Sequence, residues 1–183
     1  MNRNIIKRER GANIYQDNGS TCMISIYGVN KVFRGVVTID SGDVEKCRYM
    51  KWFIKCRNGK PVAVAGHTES QRNEKMHHFL FGEPPDGYEY DHRNRNPLDN
   101  RKENVRLCTL TQNQWNRGLT KANNSGIKGV YKPSKWDQWV ARIGVNCKGI
   151  YLGHFIKKEE AAIAYDNAVL KYRDMDFAYL NGA

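Results

Sequence analysis

The sequence has no apolar run near the ~20 residues that a membrane span needs, and no basic amphipathic helix that would lie on an acidic lipid surface. No membrane partner is expected. Its opening residues, MNRNIIKRERG, are charged and lack the apolar centre of a signal peptide, so an intracellular protein is expected. Cysteine is sparse: five residues (22, 47, 56, 108 and 147), odd in number, widely spaced and without a Cys-x-x-Cys pair. That pattern excludes a disulfide framework and a zinc knuckle, and the thiols are read as reduced and structural. Negative charge is also short, with 19 Asp and Glu against 30 Lys and Arg, a net charge of +11. Such an excess has to be solvated or met by a polyanion, and nucleic acid is the expected partner.

What the chain does have is concentrated in one stretch, YDHRNRNPLDNRKENVRLCTLTQNQWN, from Tyr90 to Asn116. Asp91 and His92 are adjacent, Asn104 follows twelve residues after His92 and Asn113 nine after that, with Arg93, Arg95, Arg101, Lys102 and Arg106 between. A general base, a carboxylate, two amides and a set of phosphate-seeking cations are the components of a one-metal phosphodiester hydrolase. Tyr88 to His92 follows a Pro-Pro-Asp-Gly turn and reads as a short strand. Neighbours on a regular strand face opposite ways, so Asp91 and His92 share a site only if the strand ends, twists or bulges there. Asn96 to Asn100 is a loop by composition, and Thr109 or Thr111 can cap a helix that carries Asn113 in its first turn. Taken singly, an Asp-His pair is more often a surface hydrogen-bonding pair and an Asn-rich loop is a turn. The joint spacing is what singles these residues out.

These residues, in "DHRNRNPLDNRKENVRLCT…QN…N", resemble the HNH nuclease motif, in the sub-type with a final asparagine found in bacteriophage homing endonucleases. The resemblance implies a β-hairpin and a helix wrapped around one divalent ion, Mg²⁺ or Mn²⁺. His92 would be the general base, Asn104 the residue that holds the loop, and Asp91 and Asn113 the metal ligands. Arg93, Arg95, Arg101 and Arg106 would contact DNA, and His78 is a possible phosphate contact. Double-stranded DNA is the implied substrate, and the cytoplasm of a bacterial or phage-infected cell the implied location.

Ahead of the motif, Cys22–Tyr27, Phe33–Ile39, Lys51–Ile54 and Pro61–Ala65 read as strands, the last two around an Asn58-Gly59 turn, and a single small antiparallel sheet is the simplest assembly. Trp52 and Phe53 are read as core, because single aromatics in strands usually pack. His77 and His78, which precede Phe79-Leu80-Phe81, are each read first as structural or surface residues.

After the motif, NRGLTKANNS is polar and reads as a linker, which puts a nuclease domain at 1–118 and a second domain at 119–183. In the second domain Gly129–Tyr131, Trp139–Ile143 and Gly149–Gly153 read as three strands, and Glu159 to Val169 as a helix with acids in its first turn. The pattern "KGVY…WDQWVARI…IYLGHF…EEAAIAYDNAV…YLN" resembles the DNA-binding domain of plant ethylene-response factors (the Apetala type), in which a three-stranded sheet enters the major groove. Lys128, Tyr131, Trp136, Trp139 and Arg142 match that family's contact positions; one of the two tryptophans is expected beneath the sheet and the other exposed. Arginines expected near Gly144 and Gly149 are absent, so the plant target sequence does not carry over.

The fold class expected is α+β: a small antiparallel sheet, a ββα motif, then a three-stranded antiparallel sheet packed on one helix. The function expected is site-selective, homing-type DNA cleavage by a monomer. A non-catalytic DNA-binding regulator is the alternative, and an RNA-directed or toxin-like HNH nuclease a third.

Overall fold

A computed structural model describes residues 4–7, 13–57, 59–66 and 74–182, so Asn58 of the expected turn lies outside the described residues. The fold is α+β, with several small antiparallel sheets and few helices. The chain divides into two compact units, Met1–Cys108 and Thr109–Ala183.

In the first unit, β1 (Asn4–Lys7), β2 (Ile14–Asp17), β3 (Thr21–Tyr27) and β4 (Phe33–Asp40) form an antiparallel sheet in that order. Alternation sets its buried face. Cys22, Ile24 and Ile26 of β3 and Val37 and Ile39 of β4 all point inward, with Cys22 opposite Ile39 and Ile24 opposite Val37. A short helix α1 (Val44–Cys47) then turns the chain into a second sheet of β5 (Lys51–Arg57), β6 (Lys60–Gly66) and β7 (Glu74–Lys75). The single sheet expected from sequence is thus two sheets. The break falls at the turn and helix between Ser41 and Met50, whose Val44 and Cys47 are buried in the same core as Trp52. Trp52 is core, as read from sequence, and is fully buried edge-on to Phe79 at 5.4 Å. Its indole N–H and the Tyr15 hydroxyl both donate to the Cys47 carbonyl, at 3.0 and 2.9 Å, so two large buried rings have their polar atoms satisfied.

Helix α2 (Met76–Phe81) follows, then a two-stranded hairpin of β8 (Tyr88–His92) and β9 (Val105–Thr109), and helix α3 (Leu110–Asn116). The loop between β8 and β9 is docked on the first sheet. Thr38 N–H donates to Leu98 O at 2.8 Å, Asn100 N–H donates to Thr38 O at 2.7 Å, and Lys102 N–H donates to the Asp40 carboxylate at 2.8 Å. A loop rich in Asn and Asp thereby acquires a regular backbone partner.

The second unit holds the sheet β10 (Val130–Tyr131), β11 (Trp139–Val145) and β12 (Lys148–Phe155), covered by helix α4 (Lys158–Tyr172). Small residues let helix and sheet approach. Ala161, Ala162 and Ala168 are buried, and a side chain on Gly129 would lie 2.0 Å from the Tyr165 ring. The β11–β12 turn places Asn146 and Cys147 at φ 49° and 61°, the left-handed pair that a two-residue hairpin requires.

The division between the units falls before α3, ten residues ahead of the linker expected at 118/119. The reason lies in the end of α3. Lys128 Nζ donates to the Trp115 and Arg117 carbonyls at 2.7 and 2.5 Å, and the Arg173 guanidinium lies over the Trp115 ring at 5.9 Å. The polar stretch after it is also ordered: the buried Ser125 hydroxyl donates to Val130 O at 2.7 Å, and Asn123 Oδ1 accepts from Gly126 N–H at 2.8 Å.

Candidate active site and nucleic-acid interface

Asp91 and His92 are the last two residues of β8, and both are buried. Because the strand ends there, the two need not face opposite ways, but their partners differ. Asp91 meets the neighbouring strand, where Arg106 Nε and Nη2 both donate to its Oδ2 at 2.9 and 2.7 Å. Each side chain of this pair is only 7% exposed. His92 meets the loop, with Nε2 3.3 Å from Asn100 Oδ1. The Asn100 amide nitrogen faces the Pro97 carbonyl at 3.5 Å, which orients the oxygen toward His92.

Asn104 holds that loop closed from inside. Its Nδ2 donates to Asp99 O at 2.7 Å, its Oδ1 accepts from Asn94 N–H at 2.9 Å, and its carbonyl accepts from Arg93 N–H at 2.9 Å. Three bonds from one buried residue tie the two ends of the loop together. Asp99 is held below the usual carboxylate range, chiefly by hydrogen bonds from Arg101, whose Nε and Nη2 donate to its two oxygens at 2.8 Å each.

A second imidazole joins the site. His77, on α2, is buried edge-on to His92 with ring centroids 5.3 Å apart, and touches His78 and Tyr90 on its other sides. Burial is the main cause that pulls its pKa down to about 3, followed by His92, His78 and Lys75. Burial also lowers His92 from its ordinary value, against the hydrogen bond to Asn100 and the nearby Asp91 and Asp99, which raise it. Both rings are therefore neutral at neutral pH. The sequence reading assigned His77 a structural role and did not single out Asn100. The only signal for Asn100 was its place in an Asn-rich loop, which is equally the mark of a turn. His78, read as a possible phosphate contact, is bonded through Nδ1 to Glu83 at 2.8 Å.

Of the cations expected at phosphates, Arg93 and Arg95 are exposed. Arg101 is taken up by Asp99 and Glu103. Arg106 corrects the reading: it is buried against Asp91, so its guanidinium is a counter-ion inside the hairpin and not a surface group. Asn113 lies on α3, whose N-cap is Thr109 in a full capping box with Gln112.

On the second unit, Trp136 is exposed and edge-on to His154, while Trp139 packs with Val130, Ala141 and Ala161 between the ammonium groups of Lys132 and Lys158. Tyr131 and Arg142 are exposed. They border an open cavity of about 610 Å³ shared with Gly144, Cys147, Lys148 and Gly149. Arg142 lies flat on Gly149, where a Cβ would come within 2.1 Å of the guanidinium. Lys128 differs from expectation, because its ammonium caps the end of α3.

Residues 78–115 match the family model described as HNH endonuclease. This segment is an HNH endonuclease domain. The chain is 38% identical over 58 residues to "Protein 3.8" of Escherichia phage T7, a match covering 32% of this chain and 48% of the relative. It is 34% identical over 89 residues to an AP2-like ethylene-responsive transcription factor of Arabidopsis thaliana, covering 44% of this chain and 26% of that protein. The chain spans about half or less of the length of these relatives. No solved structure matches it. Among the described residues no helix is long and apolar enough to cross a membrane.

Proposed function

We propose that the chain is a metal-dependent DNA endonuclease of the His-Asn-Asn, homing-type variety, with a second unit that binds the duplex. The observation that carries this reading is the buried, neutral His92 at the end of β8, oriented by Asn100 beside a loop that Asn104 closes. His92 takes a proton from the attacking water. An amide oxygen only accepts, so the proton on the ring sits on Nε2 and Nδ1 is the basic nitrogen. Asn104 keeps the loop, and so Asn100, in place. Arg93 and Arg95 meet backbone phosphates.

The donor set fits a hard divalent ion. Asp91 offers a carboxylate oxygen and Asn113, by its spacing in the motif, an amide oxygen, and oxygen donors suit such an ion. A bound Mg²⁺ or Mn²⁺ would polarise the scissile phosphate and stabilise the leaving 3′-oxygen, which gives 5′-phosphate and 3′-hydroxyl ends.

Tyr131 and Arg142 on the second unit's sheet, with Trp136 in the β10–β11 loop, position the duplex, as the similarity to a plant transcription factor supports. That same similarity favours a second reading, a non-catalytic DNA-binding regulator. Incubation with supercoiled plasmid, with Mg²⁺ or with EDTA, decides between them: metal-dependent nicking supports the nuclease, and binding without nicking supports the regulator. The T7 relative is consistent with action inside a phage-infected cell.

A further inference from the structure

Asp91 and Arg106 together carry no net charge, and they are buried on one hairpin with both guanidinium donors converging on a single carboxylate oxygen. A divalent cation held by this carboxylate also meets the guanidinium, one hydrogen bond farther off. In a site withdrawn from water that repulsion is poorly screened, so it offsets a substantial part of the carboxylate's attraction. Resting on the reading of Asp91 as a metal ligand, we infer that Arg106 keeps the site from holding a divalent ion tightly until a phosphodiester supplies the missing negative charge. Metal and DNA then bind cooperatively, and Arg106 is the positioning residue that sets the coupling. A site so built does not hold a loaded metal in the absence of its substrate.

The neighbouring carboxylates do not supply the deficit. Of the two acids of the β8–β9 loop, Asp99 is held by Arg101 through both of its oxygens, and Glu103 pairs with the same guanidinium. Arg106 also fixes the rotamer of Asp91, since two donors of a planar fork meet one oxygen. Its removal therefore both frees the carboxylate and loosens it.

The test measures Mn²⁺ binding to the full chain by the loss of the free-ion paramagnetic resonance signal, a readout independent of cleavage. His92→Ala serves as the background so that metal and a mixed-sequence duplex can be present together, and the same duplex with Asp91→Asn/His92→Ala gives the binding due to the polyanion alone. The expected result is that the duplex tightens Mn²⁺ binding by roughly 5- to 150-fold, the usual range for two coupled ligands, and that Arg106→Met tightens DNA-free binding while shrinking this factor. Arg106→Lys, which keeps the charge, leaves DNA-free binding weak. Should Arg106→Met fail to fold, the coupling in the Arg106 background and the behaviour of Arg106→Lys still decide. Equal Mn²⁺ affinity with and without duplex, or unchanged DNA-free affinity in a folded Arg106→Met, overturns the inference. Mn²⁺ binding in the presence of duplex that is as tight in Asp91→Asn/His92→Ala as in His92→Ala overturns instead the reading of Asp91 as a ligand.

Discussion

Asn100 accepts a hydrogen bond from His92, with the amide oxygen 3.3 Å from Nε2, and its own backbone is pinned to Thr38 of β4 at 2.7 Å. The orientation of His92 is thus transmitted from the first sheet through one fully buried asparagine. Asn100→Ala should lower kcat by roughly 10²-fold, the scale of a small misplacement of a catalytic group, with duplex affinity unchanged. Single-turnover cleavage and a binding titration on the same variant measure both. A matching loss of affinity, or no loss of rate, contradicts the role.

Asn104 bridges Asp99 O and Asn94 N–H from the interior of the loop. Asn104→Ala leaves the buried Asp99 carbonyl without its partner, which should cost about 1–3 kcal/mol of stability, and also removes the acceptor of the part-buried Asn94 N–H. Urea unfolding should report this together with loss of cleavage. A variant as stable as the parent would show that the loop closes without it.

His77 gives a pH dependence with a definite sign. Its pKa falls from 6.5 to about 3 on folding, so between these values the unfolded chain binds a proton that the folded chain refuses. Stability is then complete above pH 6.5 and declines as the pH falls, by about 1.4 kcal/mol per pH unit. His92, lowered by burial as well, adds in the same direction, and the ring also faces His78, Lys75 and Tyr90. Urea midpoints of the first unit's transition at pH 7 and pH 5 should differ, and His77→Phe should reduce the difference. An unchanged difference in that variant would remove His77 from the explanation.

Much of this was legible in the residues. The twelve- and nine-residue spacings of His92, Asn104 and Asn113 marked the motif, and a cap at Thr109 or Thr111 was legible; the capping box with Gln112 makes it Thr109. The inward face of β9 was not. A period-two reading of Val105-Arg106-Leu107-Cys108 puts the two apolar residues inside, yet Leu107 is exposed while Arg106 and Cys108 are buried. The ion pair with Asp91 sets that phase, and a pairing between residues fifteen apart on two strands is invisible to local hydrophobic pattern. The split of the first strands into two sheets was hidden for a similar reason: alternation identifies strands, not their neighbours. For the two tryptophans the sequence offered one beneath the sheet and one exposed; Trp136 is exposed, and packing against Ala141 and Ala161 leaves Trp139 half-buried.

In the second unit Gly149 supplies a flat surface for Arg142. Gly149→Ala would push the guanidinium aside at small cost to the fold, because the atoms displaced are the far end of a flexible side chain. Duplex affinity and site preference should fall while the melting temperature holds, each good base contact being worth roughly 1–3 kcal/mol. Unaltered cut positions on a long duplex would mean that Arg142 reads nothing.

Supercoiled plasmid with Mg²⁺, compared for the parent chain and His92→Ala, is the most direct measurement. The parent should nick or linearise the plasmid with Mg²⁺ and not with EDTA, and His92→Ala should bind equally well yet cleave slower by on the order of 10²–10⁴. Cleavage that persists in EDTA, or a His92→Ala rate close to that of the parent, would contradict a metal-dependent nuclease with His92 as its base.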